Sequence, residues 1–210
     1  MRGQRNENVS SFCYVAMHPG AILMIVALVI FRLVGPLMGG DVAAAVANFS
    51  PMAAAMVAGA IYLPGKMAFA VPFGALFVST LLVNWAKGVP LTNWFVLGAV
   101  AGFAIQFALG WLARGTRRIP LVLGIMVAGS LVFYLLSNTM SFFFEPAYPR
   151  NFGGWIQCLT LGLPLPGAPP TFVFLVRSLF SDLLFISLFI LACHPSASPQ
   201  QLSRHPVQAA

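Results

Sequence analysis

Acidic residues are almost missing from this chain. Of 210 residues only Glu7, Asp41, Glu145 and Asp182 are acidic, and charged residues of both signs amount to 7%, against about 25% in a soluble domain. A soluble fold needs a charged skin, and this composition excludes one. Histidine is scarce too: His18 stands alone before His194 and His205. That rules out an intramembrane Ser–His pair and a histidine–acid metal cluster, and no phosphate-cradling loop is present. The chain therefore reads as a non-enzyme that cannot drive transport by itself. Its cysteines, Cys13, Cys158 and Cys193, follow no C-x-x-C spacing, which predicts no disulfide, no structural metal and no cofactor.

What the chain has instead is apolar length. Hydrophobic residues make up 60% and the mean hydropathy is +0.90. A spanning helix takes about 20 apolar residues, and the sequence offers six such stretches in one membrane domain, residues 20–193. A polar tail (1–19) precedes it and a second, disordered tail (194–210) follows. The expected fold is all-α and integral to the membrane, with six transmembrane helices, a broken second segment and a re-entrant or interfacial helix before the last span. The competing account of the first segment is a cleavable signal peptide, but its apolar run starts late and carries Arg32 and Pro36.

The spans are expected at about 20–38, 42–63, 67–85, 94–113, 120–144 and 171–193. Asn48-Phe49-Ser50-Pro51 interrupts the second. Proline suits a first helical turn and Ser50 or Asn48 can cap it, so a short helix should run from Pro51 to Leu63. Between Glu145 and Pro170 the chain is irregular, with an apolar run, Phe152 to Leu165, too short to span. Six spans put both termini on one side. With the termini in the cytoplasm, Arg2, Arg5, Lys66, Arg114, Arg117, Arg118 and Arg204 lie inside and only Lys87 and Arg150 outside. The formal charge of +7 is this positive-inside bias, not a nucleic-acid surface.

Two places could carry chemistry. Asp182 is the one acid at membrane depth, where a carboxylate costs about 2.5–3.5 kcal/mol, so it should face the bundle and meet a polar partner. Arg177 is five residues away, a rotation of about 140°, which leaves Ser178 on the same face as Asp182. Asp182 is then either a ligand, proton or partner contact, or a carboxyl that holds helices together. The second place is the outer end, where Asn48, Ser50, Asn84, Asn138, Tyr148 and Trp155 approach one another. They form either a cavity for a small polar or aromatic ligand or an aromatic belt over capped helix ends. In the fourth span Gly98, Gly102, Gln106 and Gly110 repeat at steps of four, which predicts a seam for close helix packing.

Asn48-Phe49-Ser50-Pro51 with Ala53-Ala54-Ala55 resembles a bacterial membrane family of unknown function. So do Ser137-Asn138, Pro164 and Ser181-Asp182-Leu183-Leu184. That family is in turn similar to the substrate-capture (S) components of energy-coupling-factor vitamin transporters. The resemblance covers residues 44–192. It implies six helices, cytoplasmic termini in a bacterial inner membrane and an outward-opening site for a small vitamin-like molecule. A transmembrane coupling protein and ATPases would supply the energy. Two functions are therefore expected as alternatives: a substrate-binding component of such a transporter, or a non-transporting structural or assembly subunit of a larger membrane complex.

Overall fold

The computed structural model describes residues 30–31, 33, 49–63, 65–88, 90, 94–116, 118–166 and 168–193. Within them the chain is helical, with no strand. The helices are α1 (Met52–Tyr62), α2 (Met67–Lys87), α3 (Trp94–Leu112), α4 (Ile119–Phe144), α5 (Phe152–Leu159) and α6 (Thr171–Cys193). Three of them, α2, α4 and α6, are long and apolar enough to cross a membrane; α1 and α3 supply shorter apolar stretches.

The hub is α1, a helix of 11 residues. Nine residues of α1, among them Ala54, Met56, Val57 and Ala60, are buried. A helix that is apolar on every side is stable only when it is surrounded, and α1 packs against α2, α3, α6 and, more lightly, α4. Pro51 stands at its N-cap, and the Ser50 hydroxyl accepts a bond from the Met52 amide at 3.4 Å. At the other end Leu63 is extended and Gly65 turns the chain with φ 48°.

Small residues let the backbones close on this hub. A Cβ on Gly110 of α3 would sit 2.9 Å from the Val57 carbonyl oxygen and 3.1 Å from the Ala60 methyl group. One on Gly59 would sit 3.0 Å from the ring of Pro72 and 3.4 Å from the Ala68 carbonyl, the acceptor that Pro72 leaves without its helical donor. Gly102 lies under the Phe133 ring of α4, and Gly129 of α4 lies under Gln106. The glycine stripe of α3 is thus a packing seam, shared between α4 and α1.

One charged side chain closes the hub. Arg114, just beyond α3, donates to the carbonyls of Ala60 at 2.9 Å and Leu63 at 2.8 Å, at the C-terminal end of α1. A guanidinium there satisfies helix carbonyls that have no internal donor and meets the negative end of the helix dipole. Its carbon also sits 4.3 Å from the centre of the Trp111 ring.

The irregular segment before α6 is shorter in helix than its apolar run suggested. The helix stops at Leu159 rather than reaching Leu165, because Gly162 takes φ 75°. The Gly162 amide bonds back to the Gln157 carbonyl at 2.7 Å, and the Gln157 side chain donates to the Gly162 carbonyl at 3.1 Å. Asn151 caps the other end, accepting from the Gly154 amide at 2.8 Å.

Candidate functional site

Four helices bury a polar side chain near the middle of their length. Ser79 and Gln106 are the thirteenth residues of α2 and α3, and Ser130 and Asp182 the twelfth of α4 and α6. All four are buried, as is Ser181 beside Asp182. Asp182 is 4% exposed and faces the bundle, where Ser130 Oγ donates to its Oδ2 at 2.6 Å. Ser130 Oγ also lies 2.9 Å from the Met126 carbonyl one turn back on α4, so the contact joins α4 to α6. Ser178 bonds to its own helix, donating to the Phe174 carbonyl at 2.7 Å.

Two atoms in this set have no protein partner: the side-chain carbonyl oxygen of Gln106 and the hydroxyl oxygen of Ser181. Buried polar atoms of this kind are uncommon, because each forfeits its hydration without recovering a bond. They leave acceptor and donor capacity at the centre of the bundle.

The second group lies at the C-terminal end of α4. There α5 runs back along α4, as its bonds show in reverse order. Trp155 Nε1 donates to Thr139 Oγ1 at 3.1 Å, the Cys158 thiol donates to the Asn138 carbonyl at 3.2 Å, and the Tyr134 hydroxyl donates to the Leu159 carbonyl. Phe142, Tyr148 and Cys158 form a buried cluster with Trp155 and Leu163 against it. Burial, with a hydrogen bond to Cys158, pushes the Tyr148 phenol up to about 12. Burial likewise pushes the Cys158 thiol up. A Cβ on Gly154 would collide with the Pro149 carbonyl, so glycine is required where the loop folds under the helix.

Of the residues singled out from sequence, the structure brings Asn138, Tyr148 and Trp155 together in this second group. The Asn138 side chain donates to the Tyr134 carbonyl of its own helix at 2.8 Å. Ser50 begins α1. Asn84 is half-buried on α2, and its amide nitrogen has no partner. Asn48 lies outside the described residues. Asp182 belongs to the buried polar set, about 12 Å along α4 from Asn138, since eight residues separate Ser130 from Asn138. Sequence reading missed Ser130, an ordinary serine in an apolar run. The available signal was its position: it is as central in α4 as Asp182 is in α6. It treated Gln106 as part of a packing seam, which it is, without marking its free oxygen. No histidine, cysteine or acid cluster suited to a metal ion occurs among the described residues.

No curated protein matches this sequence, and no solved structure does. One sequence family does, described as a family of unknown function, DUF6580, with residues 17–201 matched. That match takes in every helix described above, and the chain belongs to the DUF6580 family.

Proposed function

We propose that this protein is a substrate-binding component of a membrane transporter for a small, polar, vitamin-like molecule, energised by a separate ATPase module through a transmembrane coupling protein. The observation that carries the reading is the set of buried polar side chains in the helices around the short α1. Solute sites in helical transporters form near the bilayer midplane, where a broken helix and inward polar side chains replace the solute's water. Here Gln106 Oε1 and Ser181 Oγ are buried without a partner; Gln106 packs on Gly129, which precedes the Asp182 partner Ser130, and α3 packs on a helix of 11 residues that is too short to span. The placement proposed with it is a bacterial inner membrane, six spans and cytoplasmic termini, supported by the positive-inside bias. Asn48-Phe49-Ser50-Pro51 and Ser181-Asp182-Leu183-Leu184 resemble a family that is in turn similar to the capture components, and that similarity supports the partner module.

The test is mass spectrometry of small molecules retained by gently purified protein. A single compound held by the wild type and lost from Gln106→Leu and Ser181→Ala, with the fold intact, is the expected result. Protein that retains nothing when offered extracts of its own cells sinks the reading. A cysteine placed at Arg117 tests the topology: it should stay unlabelled by an impermeant reagent in intact cells.

A second reading, a structural or assembly subunit of a larger complex, is favoured by the other end of α4. There Phe142, Tyr148 and Cys158 are packed under α5 as a filled cluster. Stoichiometric co-purification with an unrelated membrane complex, and no bound compound, is its signature.

A further inference from the structure

The buried polar set does not account for the surface between the start of α2 and the end of α3. A groove of about 470 Å³ opens there, lined by Gly65, Phe69, Phe107, Ala108, Trp111 and Leu112. Gly65 and Ala108 leave the space, and aromatic rings wall it. Phe69 and Phe107 meet edge to face at 5.8 Å, and Phe107 leans on Trp111 at 5.8 Å. Phe69 is 57% exposed and Leu112 83%, so the groove faces outward from the bundle.

Its mouth is basic. Lys66 is exposed and follows Gly65 directly. Arg114 holds its guanidinium over the Trp111 ring; two of its nitrogens bond to the Ala60 and Leu63 carbonyls, yet a guanidinium has five N–H donors. The described acids lie elsewhere, Glu145 beyond the far end of α4 and Asp182 in the middle of α6. An apolar slot with a positive rim and none of the described acids beside it suits one class of amphiphile.

We infer that this groove holds one acyl chain of an anionic phospholipid, whose phosphate meets Lys66 and the Arg114 guanidinium. The chain lies against Phe69, Phe107 and Trp111, where a straight apolar tail replaces the loose lipid contact of an ordinary helix face. The headgroup is selected by charge: each basic residue near an anionic lipid surface contributes about 1 kcal/mol. The inference needs a membrane around the protein but not the transport reading. Failure of either leaves the other standing.

The experiment is native mass spectrometry of delipidated protein in detergent, titrated with phosphatidylglycerol or with phosphatidylcholine of the same acyl chains. The wild type should retain one phosphatidylglycerol about fivefold or more tightly than phosphatidylcholine. Lys66→Gln should lower that preference by about fivefold, because it removes a headgroup contact from an exposed position. Ala108→Trp fills the slot from an exposed position and should abolish retention of both lipids. Equal affinity of the wild type for the two lipids overturns the inference, as does an unchanged preference in Lys66→Gln. If Ala108→Trp fails to fold, the Lys66→Gln comparison still decides. If it folds and still retains lipid, the groove is not the site.

Discussion

Ser130 Oγ lies 2.6 Å from Asp182 Oδ2, the twelfth residue of one long helix bonded to the twelfth of another. The pair solves the cost that a carboxyl incurs at membrane depth and fixes the register of α4 against α6. Ser130→Ala should destabilise the protein by about 1 kcal/mol, the scale of interhelical hydrogen bonds in membranes. Asp182→Asn keeps a hydrogen-bonding group and should cost less than Asp182→Leu if the role is packing alone. Thermal unfolding in detergent reads both. If Asp182→Asn keeps the wild-type midpoint but loses a retained compound, Asp182 belongs to the binding site.

Arg114 gives a second prediction. Its two bonds to Ala60 and Leu63 carbonyls depend on the planar fork of the guanidinium, which a lysine ammonium lacks. Arg114→Lys should therefore lose most of what Arg114→Gln loses, about 1–3 kcal/mol. Full rescue by lysine would mean that charge at the end of α1, rather than the fork, is what matters. Denaturation midpoints of the two variants separate these cases.

The long apolar helices were legible because apolar length is a one-dimensional property. The limits of α4, α5 and α6 fall near where composition and prolines put them, apart from the end of α5, which comes at Leu159 rather than Leu165. The start of α1 was legible too, from Ser50-Pro51. What sequence could not supply was which polar residues meet. Ser130 and Asp182 are 52 positions apart, and nothing local marks the serine as a partner. Arg114 read as a loop charge for orientation, since its acceptors, Ala60 and Leu63, lie 54 and 51 positions earlier. Gathering Asn138, Tyr148 and Trp155 required the path of α5 back along α4, which no periodicity encodes.

The glycines divide into those that a neighbour needs and those that it does not. A methyl group on Gly110 would press on the Val57 backbone at 2.9 Å, whereas one on Gly124 meets nothing within 4 Å. Backbone cannot step aside as a side-chain tip can, so Gly110→Ala should cost about 1–3 kcal/mol. Gly124→Ala should be neutral or stabilise by up to about 1 kcal/mol through helix propensity. Equal midpoints for the two variants would show that α3 and α1 do not approach as closely as described.

Cys158 reports on whether α5 stays docked. Its side chain is 1% exposed, its thiol donates to the Asn138 carbonyl at 3.2 Å, and burial raises its pKa. Alkylation requires both access and the thiolate, so in a chain whose Cys13 and Cys193 are serine the native protein should react slowly with maleimide. The sign with pH follows from the raised pKa: the rate should climb only at a higher pH than for an ordinary cysteine. Trp155→Phe removes the bond to Thr139 and Tyr134→Phe the bond to the Leu159 carbonyl, and each should speed labelling. The double variant should do so by at least tenfold, since two lost bonds at about 1 kcal/mol each favour the undocked segment. Rapid labelling of the native protein at neutral pH would instead show that α5 is a mobile flap, open for most of its lifetime.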